Sequence, residues 1–226
     1  MSEVQSIGGG NVRAAIARAA SRSGVDFDYL LAQARIESSL DPKARAATSS
    51  AAGLYQFTQG TWLRTLEAHG AEHGLSWAST AIQGGRLRDP ALRSQVMALR
   101  YDPDASAAMA AELAQDNAAS LTPILGRAPD AAELYLSHFL GSGGASQFLA
   151  ALQSDPGQSA AALMPKAAAA NRGIFFGAGD APRSVGAVME LLRGKVEGAM
   201  ENSGLPPPAG TGWAQASVSA LFLIHI

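Results

Sequence analysis

At 226 residues, with 47% hydrophobic and 16% charged side chains, the chain has the make-up of a folded protein able to bury one sizeable core. A net charge of −2 argues against a nucleic-acid or anionic-membrane binder, and the absence of cysteine excludes disulfides, zinc thiolate sites and thiol catalysis. No run is long and apolar enough to span a bilayer, and residues 1–10, MSEVQSIGGG, lack the cationic and apolar regions of a secretory signal.

Apolar residues recur at helical spacing, alanine is abundant and strand signals are scarce, so the expected fold is all-α. After a flexible N-terminus at 1–10, a first helix is expected from the Asn11 cap to Gly24. A second starts at Asp26 and ends before Asp41-Pro42, because a residue preceding proline disfavours the helical region. Residues 39–53 read as loop, and Thr58 or Thr61 opens a third helix that stops by Gly70. Further helices are expected over 90–100, 104–118 and 130–140, then beyond Gly-Ser-Gly-Gly at 141–144, and a last amphipathic one over 184–202. Residues 11–203 thus form one helical domain, and "GLPPPAGTG" opens a stiff linker and tail at 204–226.

Two motifs carry little weight. His69-Gly70-Ala71-Glu72-His73 has the H-x-x-E-H spacing of a helical zinc site, but Gly70 and Gly74 interrupt the helix that would align the imidazoles, and two exposed histidines at a helix end are expected. The glycines at 141–144 follow a helical pattern and no P-loop lysine accompanies them, so they read as a helix cap and tight turn.

Glu37 stands out through its sequence neighbours. Near the C-terminus of the second helix, it precedes small residues through Thr48-Ser49-Ser50-Ala51-Ala52 and then Gly53-Leu54-Tyr55-Gln56-Phe57. Small residues admit a bulky ligand, Gln56 both donates and accepts, and Tyr55 and Phe57 offer faces for sugar packing, which together describe a carbohydrate groove.

The stretch "ARIESSLDPKARAATSSAAGLYQFTQGTW", residues 34–62, resembles the soluble lytic transglycosylase domain, whose signature is a catalytic glutamate followed by serine, then Gly-Leu-x-Gln and a Thr-Trp helix start. The resemblance puts Glu37 in the catalytic position, Ser38 beside it, and Gly53, Leu54 and Gln56 in the Gly-Leu-x-Gln positions, with Ser50 where the family often has glycine. It implies a lysozyme-like fold close to goose-type lysozyme, and cleavage of peptidoglycan between N-acetylmuramic acid and N-acetylglucosamine. Further along, "LYLSHFLGSGGASQFL" falls where the family has an Ala-Tyr-Asn-Ala-Gly segment lining the groove; Gly141 matches, while His138 and Phe139 replace tyrosine and asparagine. Tyr135 and His138 are the candidate sugar contacts on that wall, and "AAANRGIFF" at 168–176 is expected to close the groove from below.

Most glycosidases need two carboxylates, yet only Glu37 lies in a motif. The transglycosylase reaction implied by the resemblance needs one, because the muramoyl O6 hydroxyl attacks its own C1 at high effective concentration. Glu37 then acts as acid and afterwards as base, its proton retained by burial against apolar neighbours. No metal or organic cofactor is implied. The partner is a peptidoglycan strand met by a monomer in the periplasm or cell envelope, reached through a trimmed signal or a secretion, flagellar or phage-type assembly. The alternatives are a muramidase on the same fold and a non-catalytic peptidoglycan-binding or morphogenesis module.

Overall fold

The computed structural model describes residues 3–201, with side chains from Asn11 onward; the linker and tail expected at 204–226 lie outside the described residues. Helix α1 spans Glu3–Ser23, so it begins eight residues before the expected Asn11 cap. Helix α2, Phe27–Ser38, starts as expected: the Asp26 carboxylate accepts the Tyr29 N–H at 2.8 Å, satisfying one of the free donors of the first turn. It ends where Ser39 and Leu40 take left-handed backbone angles, with φ of 54° and 65°.

The loop after α2 folds back on itself through bridges between Arg45 and Ala52 and between Ala52 and Phe57. Thr58 then caps α3, Gln59–His69, by accepting the Thr61 N–H at 3.3 Å. A 3-10 turn at Gly70–His73 and the short α4, Ser76–Ser79, lead into a hairpin of β1, Ile82–Gln83, and β2, Arg86–Leu87. That hairpin is unexpected from the sequence. Its Gly84-Gly85 turn is held from outside, because the Glu67 carboxylate accepts both glycine N–H groups at 2.8 and 2.7 Å.

The helix expected over 90–100 is broken into a 3-10 turn at Pro90–Leu92, α5 at Arg93–Ala98 and a second 3-10 turn at Leu99–Tyr101. Helix α6, Pro103–Leu125, has proline in its first turn and Asp102 as cap, and stops at Gly126 in a left-handed conformation. Ala105, Ala107, Ala108, Ala110, Ala111 and Ala114 are all buried, so α6 presents small residues to several sides, and α1, α3 and α7 pack against it.

Helix α7, Ala131–Ser154, opens with a reciprocal capping box between Asp130 and Glu133. At Gly141 the backbone leaves the helix, with φ 73° and ψ 160°, and then resumes. The expected helix end at 141–144 is therefore a kink that turns on one glycine. Short helices α8, Ala160–Leu163, α9, Pro165–Ala170, and α10, Arg172–Phe175, lead to α11, Val185–Glu201. Helix α11 buries Val185, Val188, Met189, Leu192 and Val196 at helical spacing, and packs on α2 and α7. The fold is all-α apart from the one small hairpin among the described residues.

Candidate active site

Glu37 lies in the last turn of α2 with its side chain wholly withdrawn from solvent. His138 of α7 faces it, Nε2 to Oε1 at 3.6 Å, with a side chain only 6% exposed. Tyr135, one turn earlier, stacks on His138 with ring centroids 6.2 Å apart, close enough to Glu37 to feel its charge. Burial pushes the Tyr135 hydroxyl well above the ordinary phenol range, and the neighbouring Glu37 adds to the push. Tyr29 of α2 is raised in the same way, first by burial and then by Glu37.

Lys195 of α11 also reaches this group. Its ammonium lies 5.9 Å from the centre of the Tyr135 ring, burial pulls its pKa down, and Glu37 opposes that shift. A carboxyl enclosed by two phenols, an imidazole and an ammonium has competing influences: burial favours the neutral acid, whereas Lys195 and a protonated His138 favour the anion.

The Gly-Leu-Tyr-Gln turn is built against Arg100. Gly53 has φ of 80°, and a Cβ there would fall 1.8 Å from the Arg100 carbonyl oxygen. The buried Arg100 guanidinium donates to the carbonyls of Ser50 at 2.7 Å and Phe57 at 3.1 Å, clamping both ends of the turn. Gln56, at φ 47°, donates through its amide to Gly53 and Ala44 carbonyls at 2.8 and 3.2 Å. Ser38 donates to the Leu54 carbonyl at 2.8 Å, tying the end of α2 to the same turn. The Ser50 hydroxyl accepts the Gln59 N–H at 3.1 Å.

A groove of about 560 Å³ runs between α3, α6 and α7. Gln56, Phe57 and His138 line it, together with Arg64 and Asp116 and the α7 segment 137–142. Tyr55 and Tyr135 are fully buried in the core instead, and Glu37 stands behind the groove wall in contact with His138. Segment 168–176 does not reach the groove: Phe175 is buried and stacks on Phe139, centroids 6.3 Å apart. Tyr29 and Lys195 belong to no motif in the sequence. Tyr29 precedes Glu37 by about two helical turns and so shares its face, a signal that is present; Lys195 comes from the far end of the chain and has none.

A mainly helical body with an enclosed glutamate at a helix end beside an open groove has the layout of a lysozyme-like fold. Residues 14–125 match the family model of the transglycosylase SLT domain, and that part of the chain is a domain of this family. The domain is a lysozyme-like fold directed at peptidoglycan in the cell envelope, and no helix among the described residues is long and apolar enough to cross a membrane. Glu37 and the Gly53–Phe57 turn fall inside the matched region; Tyr135, His138 and Lys195 lie beyond it.

Proposed function

We propose that the protein is a lytic transglycosylase that cuts the β-1,4 bond between N-acetylmuramic acid and N-acetylglucosamine without water, leaving a 1,6-anhydromuramoyl end. The observation that carries this reading is the seclusion of Glu37, whose side chain has no solvent exposure and whose neighbours are Tyr29, Tyr135, His138 and Lys195. Burial of this kind favours the neutral acid that a proton donor to the glycosidic oxygen needs.

The glycan lies in the groove and displaces the His138 ring to reach Glu37. The Glu37 proton passes to the glycosidic oxygen as the bond from that oxygen to muramoyl C1 breaks, and the resulting carboxylate takes the proton of the O6 hydroxyl as O6 bonds to C1. Glu37 ends protonated, ready for another turn. Gln56 offers the sugar its amide oxygen, its NH2 being held by the Gly53 and Ala44 carbonyls. Phe57, expected to present its ring to the sugar, is instead buried edge-on against Trp62 and only supports the groove floor.

Purified peptidoglycan digested by the wild type should give products lighter than hydrolysis products by one water in mass spectrometry, and Glu37→Gln should lower the rate by about a thousandfold or more. Undiminished lysis by that variant would sink the reading.

One observation favours a muramidase as the second reading: Asp116 lines the groove, where a second carboxylate could activate water. Its carboxylate is engaged by His69 Nε2 at 2.9 Å, however, which leaves it less free to serve as a base. Products that carry the extra water, and that vanish in Asp116→Asn, would establish the hydrolase instead.

A further inference from the structure

The H-x-x-E-H run does not form a helical zinc motif, but the fold assembles part of it with α6 into a different set. His69 closes α3, Glu72 and His73 sit on the following 3-10 turn, and Glu112 and Asp116 lie one turn apart on α6. The two histidine side chains are only 20% and 11% exposed, not the open helix-end groups that the sequence suggests, and Glu112 is buried.

His69 Nε2 is hydrogen-bonded to Asp116 Oδ2 at 2.9 Å, and its Nδ1 faces Glu112 Oε2 at 3.5 Å. If Nε2 carries the proton to Asp116, Nδ1 turns a lone pair toward a carboxylate oxygen, a repulsion that either a second ring proton or a metal ion between them relieves. Glu112 holds its other oxygen, Oε1, against His73 Nε2 at 2.8 Å. One ligand atom each from His69, Glu72 and Glu112 falls within 4.8 Å of the other two.

We propose that His69 Nδ1, Glu72 and Glu112 bind one divalent transition-metal ion of the zinc type. Metal bonds of about 2.0–2.2 Å in tetrahedral geometry set the ligand atoms about 3.3 Å apart. His69 and Glu112 are already near that separation, and Glu72, the exposed member, has the freedom to swing in. The surroundings are those of a metal site: the ligating histidine gives its other nitrogen to a carboxylate, and the ligating carboxylate is itself hydrogen-bonded, by His73. An imidazole ligand disfavours magnesium and calcium, and three carboxylates around two histidines supply the negative charge that a dication needs. Three protein ligands leave a position for water. The ion would staple the Gly70–His73 turn to α6 next to Asp116, on the groove wall, and the site does not depend on the proposed glycan chemistry.

The test uses the untagged full-length chain, stripped with a chelator and titrated with zinc chloride by calorimetry, with melting followed in parallel. One zinc per chain should bind saturably and raise the melting temperature, and cobalt substituted at the site should show the visible absorption of a tetrahedral ion. Glu72→Gln should weaken zinc binding by about tenfold or more while leaving the melting temperature of the metal-free protein unchanged, and His73→Leu should weaken it by about tenfold through the lost hydrogen bond to Glu112. The absence of saturable zinc binding, or a Glu72→Gln protein that loses less than tenfold, overturns the proposal. Should His69→Gln fail to fold, the exposed Glu72 still decides the matter.

Discussion

Gly53 carries the tightest steric demand near the candidate acid. Its positive φ already disfavours a side chain, and the Arg100 carbonyl occupies the space a methyl would need. Gly53→Ala should therefore cost at least about 3 kcal/mol in urea unfolding, well above an ordinary surface change. The phenols of Tyr29, Tyr55 and Tyr135 are all raised by burial, so the unfolded chain releases protons above pH 10 that the folded one keeps. Their contribution is intact below the unfolded value near 10 and is lost as pH climbs toward the folded values, so their phenolate absorbance should emerge together with loss of helical circular dichroism. Lys195 acts in the other direction on Glu37, since a nearby ammonium favours the carboxylate. In Lys195→Met, Glu37 keeps its proton to higher pH, and the alkaline limb of the pH–rate profile on peptidoglycan should move upward. Glu37, Gly53 and Gln56 can be found in the sequence because they sit within twenty residues in one contiguous pattern. Lys195 cannot, because it comes from α11 and meets this group only through packing.

At the scale of elements, α7 supplies both the cover over Glu37 and much of the groove wall. Its kink depends on Gly141, whose φ of 73° and ψ of 160° lie in a region that only glycine occupies comfortably, although nothing stands within 4 Å of the place a Cβ would take. Gly141→Ala should thus cost only about 1–3 kcal/mol of stability, yet displace residues 137–142 and lower kcat/KM on peptidoglycan more than it lowers the melting temperature. The helix cap at Asp26 is read correctly from sequence, and Thr58 is one of the two candidates with Thr61, because each cap acts within three residues of itself. The kink is not, since Gly143 and Gly144 look like a continued break but return to helix once the second half of α7 packs through Phe148 and Leu149. The hairpin at 82–87 escapes notice for a related reason: its strands are two residues each, too short for alternation to show, and Glu67 of α3 holds the turn.

Across the whole molecule, the family match ends at Leu125, with α6, while the core continues through Tyr135, Phe139, Phe148, Phe175 and Leu192 of the later helices. A fragment stopping at residue 125 would leave the faces of α2 and α6 that pack on α11 and α7 open to water. That fragment should show no cooperative urea transition, whereas residues 1–201 should unfold in one step. The overall helical class is legible from composition and spacing, because alanine is abundant and strand signals are scarce. The placement of α11 across α2 is not, because no local pattern says which apolar stripe meets which. The enclosure of Glu37 then has a consequence in time. During synthesis the acid leaves the ribosome long before His138 covers it and longer still before Lys195 arrives, so the finished arrangement exists only when nearly the whole domain has been made and folded. A chain released early would carry Glu37 without the side chains that enclose it.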